Sequence, residues 1–65
     1  MADFEKLCKI IIDSNGRPKA NDVLGAGYSM EHFDRLSNAR PETLVKRARE
    51  NLLERGIHYN SLINE

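Results

Sequence analysis

The chain is short of the residues that small proteins use to cross-link themselves. Its 65 residues include one cysteine and two histidines. A single cysteine excludes an internal disulfide, and no pair among Cys8, His32 and His58 has the short ligand spacing of a structural zinc site. We therefore expect no metal site and no other cofactor. The fold then depends on side-chain packing alone.

Aromatic residues are also scarce, at 6% of the chain, and tryptophan is absent. Aliphatic side chains must therefore fill the core. A chain of this length buries only about 60% of the surface that its unfolded form exposes, so its stability is marginal. We expect a single domain over residues 1–65.

Long apolar runs are missing as well. None approaches the roughly 18 residues that a membrane-spanning helix needs. The charged stretch from Met1 to Lys9 does not resemble a secretory signal. We expect no membrane partner and a cytoplasmic, reducing location, which also suits one unpaired cysteine.

Neither sign of charge is in excess, with 10 basic and 10 acidic residues. Proteins that bind nucleic acids usually carry a basic excess, because neutralising phosphates supplies much of their affinity. The charges are nevertheless uneven along the chain. Between positions 35 and 55 six basic residues (Arg35, Arg40, Lys46, Arg47, Arg49, Arg55) stand against three acidic ones (Glu42, Glu50, Glu54). A modest local basic face is therefore possible.

Catalytic patterns are lacking too. Cys8 has no base near it in sequence, so the sequence does not indicate a nucleophilic role for it. Glu31 and Asp34 suit the positive end of a helix better than an acid/base pair. Gly25 and Gly27 are not followed by the Lys-Ser/Thr of a phosphate-binding loop. We expect a protein that is not an enzyme and has no catalytic residue.

What the chain does contain is helical periodicity. Asp3 is a candidate N-cap for a first helix whose apolar residues Phe4, Leu7, Cys8 and Ile11 recur at helical spacing. The run Ile10–Ile12 also fits a strand, because β-branched residues favour sheets. The helix keeps its period better, so we prefer it. Either Asn15 or Gly16 can take the left-handed conformation that ends a helix.

The stretch from Pro18 to about Asn38 predicts two short helices joined by a tight turn. Pro18 suits the first turn of the second helix. Gly27 permits the sharp break in a turn at Gly27-Tyr28-Ser29, and Ser29 is an N-cap candidate for a third helix from Met30 to about Asn38. A shared apolar seam is predicted at Val23, Ala26, Tyr28, Phe33 and Leu36. This spacing is typical of a helix-turn-helix.

A longer helix follows, opened by Pro41 and Glu42 and stopped by Gly56. Its apolar stripe is predicted at Leu44, Val45, Ala48, Leu52 and Leu53. The tail, residues 57–65, holds Ile57, Tyr59, Leu62 and Ile63, and we expect it to fold back on the core or contact a partner. The predicted fold is an all-α bundle of about four short helices, with a helix-turn-helix core at about 18–56.

The order AGYSMEHFDRLSN, then PETLVKRARENLLERGIHYN, resembles the DNA-binding headpiece of lac-repressor-type regulators over about 40 residues. In that family an Ala-Gly-x-Ser turn leads into the recognition helix, and a Pro-Glu-Thr start opens the next helix. The first part is matched by Ala26, Gly27, Ser29, Phe33, Arg35, Leu36 and Asn38. The second is matched loosely by Pro41, Glu42, Thr43, Gly56, Tyr59 and Asn60.

The resemblance implies duplex DNA as partner and a set of contact residues. Ser29, Met30, Glu31, His32 and Arg35 would face the major groove, where Arg35 can donate to guanine and Glu31 can accept from cytosine. The Ser29 hydroxyl, Arg40, Lys46 and Arg47 would hold phosphates.

The chain also departs from the family pattern. The family normally has Val-Ala ahead of the glycine, where this chain has Asp22-Val23, and the first helix is an extra element. Glu31 and Asp34 make the third helix acidic, and Met30 stands where a base-reading side chain is expected. The AGYS turn is also similar to that of small terminase subunits of tailed phages, which share a helix-turn-helix and are often oligomeric.

The sequence thus predicts a small helix-turn-helix nucleic-acid-binding protein, either a DNA-binding regulator or a phage accessory protein. The alternative is a non-enzymatic interaction module or inhibitor that uses its aliphatic faces. In that case Ile57, Tyr59, Leu62 and Ile63 would contact a second copy or another protein. Neutral net charge and the acidic third helix favour the alternative, whereas the AGYS turn and the basic bias after Arg35 favour DNA.

Overall fold

The computed structural model describes residues 2–59 of the chain, and within that range it contains four helices and no strand. The helices are α1 (Phe4–Asp13), α2 (Ala20–Gly25), α3 (Met30–Asn38) and α4 (Pro41–Glu54). The predicted all-α bundle of about four short helices is confirmed.

Helix α1 begins and ends where local signals predict. The Asp3 side chain accepts a hydrogen bond from the Lys6 amide at 3.0 Å, which satisfies one of the free amides of the first turn. After the helix, Asn15 and Gly16 both have positive φ, at 58° and 86°. The run Ile10–Ile12 is helical, so the strand alternative is wrong: Ile11 and Ile12 join Leu7 and Cys8 on one buried face.

The core lies where α1 packs against α4 and, more narrowly, against α2, while α2 packs against α3. Within residues 2–59 the core has eight buried members, and helix α1 supplies four of them. These members are Leu7, Cys8, Ile11, Ile12, Val23, Ala26, Ala48 and Leu52. Tyr28, Phe33, Leu36, Leu44, Val45, Ile57 and Tyr59 are among the partly buried residues that pack on them.

Two details of the predicted helices are wrong. Pro18 is not in the first turn of α2, because the buried Pro18 is followed by an extended Lys19 and the helix begins at Ala20. Leu53 does not continue the buried stripe of α4 and is 52% exposed. Successive helical residues diverge by about 100°, so burying Leu52 against α1 turns Leu53 toward solvent.

The loop after α1 is held tightly against the start of α4. Gly16 is buried, and its amide donates to the Ile11 carbonyl at 2.8 Å. A Cβ at Gly16 would lie 2.6 Å from the Pro41 Cα and closer still to its carbonyl oxygen. Only glycine leaves room for this approach, and its positive φ would strain any other residue.

We predict that Gly16→Ala lowers the free energy of unfolding by about 3 kcal/mol or more. The left-handed backbone accounts for about 1–2 kcal/mol, and displacement of the Pro41 backbone adds the remainder. Urea denaturation followed by circular dichroism measures the change.

Gly56→Ala is the matched control, because Gly56 has φ +77° but nothing within 4 Å of an added Cβ. It should cost only the backbone strain, about 1–2 kcal/mol. Equal losses in the two variants would show that contact between Gly16 and Pro41 does not matter for stability.

The segment after α4 turns back onto α1. Tyr59 donates its hydroxyl to Asp13 Oδ2 at 2.6 Å, and Lys9 Nζ lies 5.5 Å from the centre of the Tyr59 ring. Ile57 and Tyr59 are half-buried against the core, as the fold-back prediction requires. Leu62 and Ile63, the other predicted tail contacts, lie outside the described residues. The hydrogen bond to Asp13 raises the pKa of Tyr59 to about 12, with burial as a smaller cause.

We predict that Tyr59→Phe destabilises the domain by about 1–3 kcal/mol. The Oδ1 atom of Asp13 is buried and has no hydrogen-bond partner among the described residues, so losing the Tyr59 hydroxyl leaves Oδ2 unpaired as well. Tyr28→Phe is the control, because no hydrogen bond of the Tyr28 hydroxyl is found within residues 2–59.

The two variants should also differ at high pH. The folded state holds the Tyr59 proton up to a pKa of about 12, above the usual 10, so its contribution is complete below pH 10 and is lost as pH rises toward 12. Burial raises the pKa of Tyr28 as well, but no hydrogen bond within residues 2–59 holds its proton. Ultraviolet titration should therefore show the ionisation near pH 12 in Tyr28→Phe, which keeps Tyr59, and not in Tyr59→Phe. Its persistence in Tyr59→Phe would contradict the assignment.

Candidate nucleic-acid interface

The turn between α2 and α3 is built from backbone geometry that the sequence makes available. Ala26 caps α2, and Gly27 follows with φ 93°. The Tyr28 amide donates to the Val23 carbonyl at 3.2 Å, which closes the turn. Ser29 then caps α3 by accepting from the His32 amide at 3.2 Å. The turn begins at Ala26, one residue before the predicted Gly27.

This turn is anchored to the core from two sides. Val23 is fully buried and Ala26 is 2% exposed, so the end of α2 is fixed by packing. The Asp3 amide, at the start of α1, donates to the Ala26 carbonyl at 2.8 Å. Helix α1 therefore sets the position of the turn from which α3 projects.

Helix α3 has one face toward the core and one toward solvent. Phe33 and Leu36 are half-buried against the core, although no residue of α3 is fully buried. The exposed residues recur at helical spacing on the opposite face, and we call them the outer face of α3. They are Met30, Glu31, Asp34, Arg35, Ser37 and Asn38.

The residues predicted to contact DNA do not all lie on the outer face of α3. Met30, which is 49% exposed, lies on the outer face with Glu31 and Arg35. His32 is instead half-buried and stacks on Tyr28, with their ring centres 4.6 Å apart. His32 therefore lies at the flank of the outer face rather than at its centre.

The electrostatics of the outer face are mixed. It carries the carboxylates of Glu31 and Asp34 and the single guanidinium of Arg35. Glu31 is in the first turn and Arg35 in the last, where each charge interacts favourably with the helix dipole. Arg35 forms no ion pair with another residue of the described range. One free cation beside two carboxylates cannot by itself hold a phosphate backbone.

The predicted phosphate contacts lie next along the chain. Arg40 is the N-cap residue of α4 and its side chain makes no capping hydrogen bond. Arg40, Lys46 and Arg47 are all exposed. Lys46 and Arg47 are consecutive, so they point about 100° apart around α4. Helix α4 packs mainly on α1, and α3 packs on α2.

Cys8 belongs to the core. It is 1% exposed, and burial raises the pKa of its thiol, with Glu5 adding to the rise and Arg55 opposing it. The thiol is therefore kept neutral and shielded from solvent. Across residues 2–59, no three side chains of His, Cys, Asp or Glu are grouped closely enough to hold a metal ion.

Sequence reasoning missed one basic residue that the fold brings near this region. Arg17 lines a cleft of about 270 Å³ between the α1–α2 loop and the junction of α3 with α4. Leu36, Ser37, Ala39 and Pro41 form the other wall. No local pattern in the sequence indicates this cleft, because its two walls come from segments that are distant along the chain.

Comparisons with models of protein families, with curated proteins and with solved structures found no match for this chain. None of the four helices in the part of the chain that the structure describes has both the length and the apolar character needed to cross a bilayer.

Proposed function

We propose that the chain is a small helix-turn-helix protein that binds duplex DNA through the outer face of α3, as a transcriptional regulator or a phage accessory protein of the cytoplasm. The observation that carries the proposal is the capped helix α3, which follows a glycine turn and leaves an unbroken face exposed. Helices of this kind enter the major groove of DNA, which is wide enough to admit them.

The outer face offers a reading surface. Arg35 donates to guanine O6 and N7, Glu31 accepts from cytosine N4, and Met30 provides an apolar contact for a thymine methyl group. The two carboxylates lower non-specific attraction to phosphates, so this face contributes selectivity more than affinity.

Affinity then comes from groups at the edge of the outer face and beyond it. The Ser29 oxygen already accepts from His32, but its hydroxyl proton is available to a phosphate. Arg40, Lys46 and Arg47 add exposed positive charge on the α3–α4 connection and on α4. One domain of this size buries too little surface for tight specific binding, so we propose that two copies act together on DNA.

We predict that affinity for a labelled duplex falls steeply between about 50 and 200 mM salt, because bound phosphates release counterions. The double variant Arg35→Ala/Arg47→Ala should bind at least about tenfold more weakly at low salt and show a shallower salt dependence. Fluorescence anisotropy measures both quantities, and circular dichroism confirms that the variant is folded.

Lys6→Ala/Arg55→Ala is the matched control, because it removes the same charge from exposed positions outside α3, α4 and the α1–α2 loop. Equal losses in the two double variants would mean that binding is a general charge effect. A wild-type chain that binds no duplex at low salt would refute the proposal.

A second candidate function is docking to another protein. It is favoured by the acidic outer face and by Leu24 and Met30, which are 42% and 49% exposed on either side of the turn. These apolar side chains suit a protein surface better than a phosphate backbone. Ile57 and Tyr59 are less suited to this role than their sequence suggests, because both already pack on the core.

A further inference from the structure

The cleft beside the α3–α4 junction joins parts of the chain that are distant in sequence. One wall is Gly16, Arg17 and Pro18 from the α1–α2 loop. The other wall is the end of α3 and the start of α4. Gly16 holds the walls together through its close approach to the Pro41 backbone. The cleft is thus a fixed feature of the fold and lies directly beside the end of α3.

Arg17 lies at this cleft between two buried residues. Its neighbours Gly16 and Pro18 are buried, while Arg17 itself is exposed. Its amide donates to the Ser14 carbonyl at 3.2 Å, which fixes the turn that carries it. Within the described range its guanidinium makes no ion pair and no side-chain hydrogen bond. The opposite wall adds the hydroxyl of Ser37.

We propose that this cleft receives a backbone phosphate of bound DNA, held by the Arg17 guanidinium together with the Ser37 hydroxyl. This inference rests on the proposed function and extends its interface to the α1–α2 loop. A guanidinium matches the geometry of phosphate oxygens, and a hydroxyl is a common second donor to them.

The local charge fits this occupant. The lining residues include one cation and no carboxylate. Arg40 lies between two of them, Ala39 and Pro41, and is exposed. The cleft is therefore the positive counterpart of the acidic outer face of α3. A phosphate held here would supply attraction that the outer face lacks.

The test compares wild type, Arg17→Ala, Arg17→Lys and Lys6→Ala on the same labelled duplex across a salt series. Arg17→Ala should bind about threefold to tenfold more weakly at low salt, and its salt slope should be smaller by about 1, because one phosphate contact is lost. Arg17→Lys should keep most of the slope, since the charge remains. Lys6→Ala removes an exposed cation of α1 and should bind like wild type.

The outcomes separate this inference from the proposed function. If wild type binds DNA with the expected dependence on Arg35 and Arg47, but Arg17→Ala behaves like Lys6→Ala, the phosphate site is refuted and the proposed function stands. If wild type binds no duplex, both are refuted. Circular dichroism of each variant ensures that a weaker affinity is not caused by unfolding.

Discussion

The packing of the apolar face of α1 against α4 and the end of α2 is the contact on which the rest of the domain depends. Four neighbouring side chains of α1 are buried there, and they meet Ala48 and Leu52 of α4 and Val23 of α2. The backbone bond from Asp3 to Ala26 joins the start of this helix to the turn before α3. Helix α1 is thus the structural base for the turn between α2 and α3.

The two faces of α3 therefore have different roles. Only Phe33, Leu36 and, at the flank, His32 face inward, and none is fully buried. The helix is therefore held mainly through its connections and α2, which leaves its other face open. In the function we propose, that face selects among base pairs and nearby arginines attract the backbone. The mixed charge of Glu31, Asp34 and Arg35 would make poor sense on a surface evolved only for general affinity to phosphates.

The helix boundaries could be predicted from sequence because they depend on local chemistry. The Asp3 and Ser29 caps, the Asn15-Gly16 termination and the break at Gly27 each involve a few consecutive residues. The predictions that were wrong depend on contacts between segments that are distant in sequence. Pro18 is buried ahead of α2, and Leu53 is turned outward by the way α4 packs on α1. The cleft at Arg17 needs the α1–α2 loop beside α4, and no local pattern encodes that neighbour.

The central claim is that α1 is an integral part of the core, so that the segment from α2 to α4 cannot fold without it. The most direct measurement is circular dichroism and thermal unfolding of a fragment of residues 18–65, alone and with a peptide of residues 1–17 added. We predict that the fragment lacks cooperative unfolding and recovers helicity when the peptide is supplied, because the peptide restores four of the eight core side chains found among residues 2–59. A fragment that unfolds cooperatively on its own, with the helicity of α2 to α4 intact, would contradict the account.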